Sequence, residues 1–209
     1  AWQKTGIELQ GTLNVRIFKP QADKVYVGFQ LSPLQLLVGG QRAPHLLENL
    51  YQTFFLATFT LEGKPQQFYF PHYLKPTEQT PIAEIINSVQ VVLPSPSSIS
   101  EVKQWITQEN HGTGEYKTQY SWEKGKIQKQ KTAYLKVFSF MKEASNNKSR
   151  LTLSGRIIRS RFVGQIATQK SWLQAFSGDE TLEIWSEYGK FSQISSQINL
   201  QISNDPINP

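Results

Sequence analysis

The sequence predicts a mainly β protein: a single antiparallel β-barrel, or a strongly curved sheet, of about ten strands with one central helix. Apolar and polar residues alternate along most of the chain, which is the period of a half-buried antiparallel strand. Only one segment, at about residues 81–93, has helical spacing instead. Aromatic residues make up 12% and charged residues 18% of the 209 residues, which excludes a disordered chain and a coiled coil. A long antiparallel sheet tends to curl, because closure removes its exposed edges.

The alternation starts at Ile7, from which apolar residues up to Ile17 take one face of the first predicted strand. The other predicted strands are Lys24–Leu31, Thr53–Leu61, Gln66–Phe70, Tyr116–Glu123, Lys126–Phe140, Leu151–Phe162, Thr181–Glu187 and Phe191–Ile202. Glycine-containing turns join them at 62–65 and 124–125. We expect residues 1–203 to form one domain and residues 204–209 to form a flexible tail.

The helical spacing begins after Thr80, a good N-cap, with Pro81 in the first helical position. Pro94 ends the predicted helix, because the residue before a proline disfavours the helical conformation. The segment is rich in β-branched residues, so we expect burial against the concave sheet to stabilise it. The residues predicted to face lipid, or to plug the barrel, are Ile82, Ile85, Ile86 and Val89.

The sequence contains no motif for covalent, metal or phosphate chemistry. It has no cysteine, which excludes disulfides, thiolate nucleophiles and cysteine zinc sites. The three histidines, His45, His72 and His111, are far apart and none has ligand spacing. Neither a nucleophile elbow nor a phosphate-binding loop occurs. We therefore predict a protein that is not an enzyme, with no catalytic residues, no metal and no cofactor.

Positive charge is concentrated in one part of the chain. Twelve lysines and arginines lie between Lys124 and Lys170 against one acid, Glu143, although the net charge of the whole chain is only +6. If the predicted strands Lys126–Phe140 and Leu151–Phe162 pair, two pairs of cations crowd one sheet face, which suits an acidic protein or anionic lipid headgroups. The predicted partner-binding residues are Lys129, Lys131, Arg159 and Arg161. Solvated strands that carry ordinary surface charge are the alternative explanation.

Nucleic acid is the disfavoured partner for this basic segment. Its aromatic residues, Tyr134, Phe138, Phe140 and Phe162, could stack on a single strand. They also fit the alternation expected of a core, and no RNA-recognition signature is present.

Residues Thr53–Tyr134 contain a succession of elements found in one known family. Phe59–Lys64 and Phe68–Pro71 form a strand, a glycine turn and an apolar strand closing on proline. Ile82–Gln90 supplies a helix with an Ile-Asn centre and a terminal Gln, and a Tyr-terminated strand follows, ending at Tyr120. This succession resembles the N-terminal β-barrel of the large lipid transfer proteins, which include vitellogenin, the microsomal triglyceride transfer protein and apolipoprotein B.

The resemblance implies a non-enzymatic domain in lipid binding or transport, whose partners are lipid or lipoprotein and which docks through basic residues. Two alternatives stay open: a self-contained carrier of lipid or lipoprotein in a bacterial envelope, and an interaction or adhesion module without an apolar ligand. The chain starts without an initiator methionine, which is typical of a mature end left by cleavage. We therefore expect an exported protein, either periplasmic, envelope-bound or secreted.

Overall fold

A computed structural model describes residues 7–38, 41–42, 53–94, 102–138, 152–166 and 173–201. The protein is mainly β with one short helix among these residues, which confirms the predicted class. The chain divides into two compact units, residues 1–96 and 97–209, each with its own antiparallel sheet. The predicted domain of residues 1–203 stays a prediction, and the predicted tail at 204–209 lies outside the described residues.

The first unit holds a five-stranded antiparallel sheet. Its strands are β1 (Ile7–Ile17), β2 (Lys24–Val38), β3 (Gln41–Arg42), β4 (Thr53–Thr60) and β5 (Pro65–Tyr69). They run in the order β1-β2-β4-β5, and the short β3 pairs with the end of β2. On one face the alternate residues of β2 and β4 are buried, and the Phe29 and Phe55 rings stack with centroids 5.2 Å apart.

The helix, α1, spans Pro76–Val89 and so begins and ends earlier than the predicted 81–93. Its N-cap is Lys75, whose backbone N–H donates to the Glu78 carboxylate at 2.8 Å, so the predicted N-cap Thr80 lies inside the helix. It ends because Gln90 is extended, and the Leu93 N–H then donates to the Glu62 carbonyl at 2.7 Å. In place of the last predicted turn of helix, the chain therefore forms a backbone hydrogen bond to the loop between β4 and β5.

The second unit is a six-stranded meander in which each described strand pairs with its neighbours in sequence. Its strands are β6 (Gln104–His111), β7 (Gly114–Glu123), β8 (Lys126–Val137), β9 (Ser154–Ile166), β10 (Leu173–Ser186) and β11 (Gly189–Gln201). The predicted turn between β7 and β8 has positive φ at both Lys124 (51°) and Gly125 (76°). This is the backbone of a two-residue type I′ hairpin.

Two features of the second sheet were not predicted. The strand β6 is new, and β10 begins at Leu173 rather than Thr181. Among the described strands neither sheet closes on itself, so a single ten-strand barrel stays a prediction. No helix within the described ranges is long and apolar enough to cross a membrane.

Candidate functional site

The face of the first sheet opposite the buried phenylalanines carries exposed aromatic rings among its polar residues. Cross-strand pairing aligns Arg16, Gly28, Leu56 and Tyr69 in one row on the face opposite the buried phenylalanines. The outer aromatic face, as we name it, consists of Phe18, Phe54, Leu56 and Tyr69. Antiparallel sheets usually present polar residues on the side that faces water. Here Phe54 is 48% exposed, Tyr69 43% and Phe18 37%.

Gly28 forms the floor of the outer aromatic face. A Cβ atom at this position would lie 2.9 Å from the Phe54 ring and 3.3 Å from the Phe18 ring. The Phe18 and Phe54 rings therefore extend from the chain segments on either side of β2 and lie over the Gly28 backbone. This arrangement makes the aromatic surface continuous across β1, β2 and β4.

A cation borders the outer aromatic face. The Arg16 guanidinium lies 5.5 Å from the centroid of the Phe18 ring, within the range of a cation–π contact. Arg16, Lys19 and Lys24 are all exposed, and Asp23 is the one acid between residues 16 and 24. The patch therefore combines exposed aromatic surface with positive charge, which suits a surface that is both apolar and anionic.

The second sheet buries charge instead. On its inner face, which carries the buried Tyr116, Tyr120 and Phe162, Lys129 of β8 pairs with Glu109 of β6 at 3.0 Å. The pair spans the intervening strand β7, and the side chains are 2% and 1% exposed. The Glu109 carboxylate also accepts hydrogen bonds from the Tyr120 hydroxyl at 2.5 Å and the Thr107 hydroxyl at 2.8 Å.

A second buried pair spans the next strand. Lys131 of β8 lies 2.8 Å from the carboxylate of Glu180 on β10, and the Ser196 hydroxyl donates to the same carboxylate at 3.2 Å. The Lys131 ammonium also lies 4.3 Å from the centroid of the Tyr116 ring. On the intervening strand β9, the Ser160 hydroxyl accepts a hydrogen bond from the Lys131 backbone N–H at 3.1 Å. The two pairs therefore tie five consecutive strands together.

Burial and neighbouring charges shift the pKa values in this cluster. Burial raises the pKa of Glu109, but the charge of Lys129 and the hydrogen bonds lower it by more, so the net pKa lies below its ordinary value. Burial lowers the pKa of Lys131, and Glu180 offsets only part of that effect. Burial, helped by the nearby charges of Lys131 and Lys129, lowers the pKa of His111 to about 3. His111 is therefore neutral at physiological pH.

The structure separates the four predicted partner-binding cations. Lys129 pairs in register with the buried Phe162, which places Lys129 and Lys131 on the inner face. Arg159 and Arg161 point to the opposite, outer face, where Arg159 is 65% exposed and lies 2.6 Å from the Asp179 carboxylate. This geometry corrects the expected single face, because the register of β8 and β9 offsets the two pairs by one residue. Binding of a partner through these residues stays a prediction.

The predicted helix residues are placed on one side of α1. Ile82, Ile86 and Val89 are at most 4% exposed, at spacings of four and three residues, and Ile85 is half-buried. Contact with lipid through these side chains stays a prediction.

Sequence reasoning missed the outer aromatic face and both buried glutamates. The sequence signal for the outer aromatic face is the unbroken apolar run of residues 54–57 in β4, because strict alternation would place polar residues at every second position. No signal in the sequence identifies Glu109 and Glu180 as the partners of the lysines. Each lies about twenty to fifty residues from its lysine, and only the order of the strands brings them together.

Comparison with known proteins adds no assignment. No family model matches the chain, and no curated protein matches it.

Proposed function

We propose that this protein is a non-enzymatic lipid-binding module that takes part in lipid binding or transport, as its sequence resemblance implies. The observation that carries this proposal is the outer aromatic face, with Phe18, Phe54 and Tyr69 exposed beside Arg16. An exposed apolar patch rimmed by polar or charged residues is typical of interaction sites on lipid or protein. The neighbouring cations favour an anionic phospholipid surface.

The magnitudes indicate reversible binding. Full burial of one large apolar side chain contributes about 1.5–3 kcal/mol, and the three rings are already about half-covered. Each basic residue near an anionic surface adds about 1 kcal/mol at low salt. The rings and the cations therefore make comparable contributions, and we expect binding that requires both and weakens as salt screens the charges.

Vesicle co-sedimentation tests the proposal. We expect the parent protein to bind vesicles of phosphatidylcholine with phosphatidylglycerol more tightly than phosphatidylcholine alone. The double substitution Phe18→Ser with Phe54→Ser should weaken binding about tenfold, since it removes two of the exposed rings. The matched control, Ile106→Ser with Tyr188→Ser, changes side chains of the second unit that are 59% and 86% exposed, one on β6 and one in the turn after β10, and should bind like the parent.

Two outcomes would contradict the proposal. One is a parent protein that ignores both kinds of vesicle, which would favour an interaction module without an apolar ligand. The other is equal loss of binding in the control, which would mean that any exposed apolar side chain suffices. Circular dichroism of each variant verifies that the sheets are retained.

The envelope-carrier alternative differs in that lipid travels with the protein. The single barrel of about ten strands is part of the lipid-transfer proposal, whereas a self-contained carrier needs an enclosed apolar cavity of its own. Mass spectrometry of solvent extracts from the purified protein distinguishes a carrier, which retains lipid, from a surface-binding module, which does not. An exported location is part of both proposals. Docking of an acidic partner through Arg159 and Arg161 is compatible with either, since both side chains are exposed.

A further inference from the structure

The last strand of the second sheet, β11, is an edge of unusual composition. It is 13 residues long and pairs with β10 along one side, and no described strand pairs with its other side. From Phe191 to Gln201 it contains no charged residue and no proline. An edge strand presents a row of backbone N–H and C=O groups that can pair with another strand.

The other sheet edges in the described part of the chain are protected. β1 carries the exposed charges Glu8 and Arg16, and β5 is only five residues long and begins with Pro65. β6 has the inward-pointing charge of Glu109, and β3 has two residues. Charge, proline and shortness are the usual means by which proteins prevent edge pairing. From Phe191 onward, β11 has none of them.

The side chains of β11 are complementary to a second copy of themselves. On the inner face Ile194, Ile198 and Leu200 are only half-buried, and none of the described strands lies on the side of β11 away from β10. The outer face presents exposed amides and hydroxyls, Gln193, Ser195, Gln197 and Asn199. Amide and hydroxyl side chains both donate and accept hydrogen bonds, so those of one copy can bond to the same side chains of a second copy. Identical charges in these positions would repel each other.

We infer that β11 pairs antiparallel with β11 of a second copy of this chain, so that two six-stranded sheets join into one across a two-fold axis. In the register that pairs Ile194 with Ile198, Ser196 lies opposite Ser196 of the second copy. Ile194 then faces Ile198, and Ser195 faces Gln197, each twice by symmetry. From Phe191 to Gln201, every cross-strand pair in this register is neutral.

Light scattering coupled to size-exclusion chromatography over a range of concentrations tests the inference. We expect the mass of the parent to rise towards twice the 23.9 kDa of one chain as concentration increases. The double substitution Ser195→Lys with Gln197→Lys brings four positive charges together at the axis and should weaken the dimer at least about tenfold. The matched control is Gln119→Lys with Gln130→Lys, an exposed pair in register on the interior strands β7 and β8, which should dimerise like the parent.

Because the chain has no cysteine, a single introduced thiol tests the register directly. Directly opposed residues in an antiparallel pair have Cα atoms about 4.5–5.5 Å apart, within the range of a disulfide. Oxidised Ser196→Cys should therefore form a covalent dimer, whereas Gln119→Cys should not. A parent of one-chain mass at all concentrations, or an edge variant that dimerises as tightly as the parent, overturns the inference. Dimerisation without the Ser196→Cys cross-link overturns the register.

Discussion

At the scale of single residues, the two buried lysine–glutamate pairs are the least expected feature of the molecule. Burying a charge in a protein interior is costly unless a partner and further hydrogen bonds compensate it. Both pairs have such compensation: Tyr120 and Thr107 donate to Glu109, and Ser196 donates to Glu180. Such pairs contribute little net stability, but losing one partner leaves an isolated buried charge. Removing one charge of a pair and removing both charges should therefore change the free energy of unfolding by different amounts.

We expect Lys131→Met to lower the free energy of unfolding by about 3–5 kcal/mol, because Glu180 would stay buried without its counter-ion. Adding Glu180→Leu to the same chain should recover most of this loss, since both charges are then absent. Urea unfolding followed by tryptophan fluorescence measures both changes.

The exposed pair of the same sheet supplies the control. Arg159→Met breaks the contact with Asp179, where the two side chains are 65% and 40% exposed, and should cost at most about 1 kcal/mol. A loss in Lys131→Met no larger than in Arg159→Met would show that solvent reaches Glu180.

At the scale of elements, the helix shows how packing selects one face. The apolar positions of α1 are 82, 85, 86 and 89, but they are not equally buried. Ile86 is 1% exposed and Ile85 is half-buried, although the residues are adjacent and chemically identical. The centre of the buried face therefore lies along Ile82, Ile86 and Val89.

We expect Ile86→Ala to lower the free energy of unfolding by about 2–5 kcal/mol through lost burial and the cavity that remains. Ile85→Ala should cost clearly less, because part of that side chain already contacts solvent. Both variants replace isoleucine with alanine in the same helix, so their helix propensities change equally. Thermal melts of the two variants give the comparison. Equal melting temperatures for the two variants would contradict the placement of the face.

At the scale of the whole molecule, stability depends on pH through the buried polar cluster. The pKa of His111 is lowered from 6.5 to about 3, so below pH 6.5 the unfolded chain takes up a proton that the folded chain does not. Stability attributable to His111 therefore falls as pH decreases from 6.5 towards 3. The pKa of Glu109 is also lowered, from 4.5, and its stabilisation is complete above pH 4.5 and is lost as pH falls through its folded-state value.

Between pH 6.5 and 4.5 we expect the free energy of unfolding to fall, with a slope due to His111 that approaches about 1.4 kcal/mol per pH unit. His111→Gln should flatten the profile in this window, because the titrating group is gone. Urea titrations at a series of pH values measure the slope. His72→Gln, at an exposed position, should keep the slope of the parent. A parent profile that is flat over this window, or unchanged by His111→Gln, would contradict the burial of His111.

Prediction from sequence succeeded where the signal is local. The period-two pattern identified the strand class, and Gly125, which tolerates positive φ, identified the turn between β7 and β8. It was wrong about the helix ends, because Lys75 and Glu78 form the capping contact, Gln90 is extended, and Leu93 hydrogen-bonds to Glu62 in a distant turn. It also missed β6, whose alternating residues are mostly polar on both sides.

The sequence by itself determined that the chain is mainly β with one helix, because hydrophobic periodicity depends only on neighbours a few residues apart. It did not determine which residues share a surface. Strand register decided that Lys129 faces inward and Arg161 outward, since a shift of one residue exchanges the two faces of a strand. Strand order brought Glu109 and Glu180 to the lysines, and the absence of a side chain at Gly28 leaves room for the Phe18 and Phe54 rings over its backbone. These contacts join residues distant in sequence, so only the tertiary structure decided them.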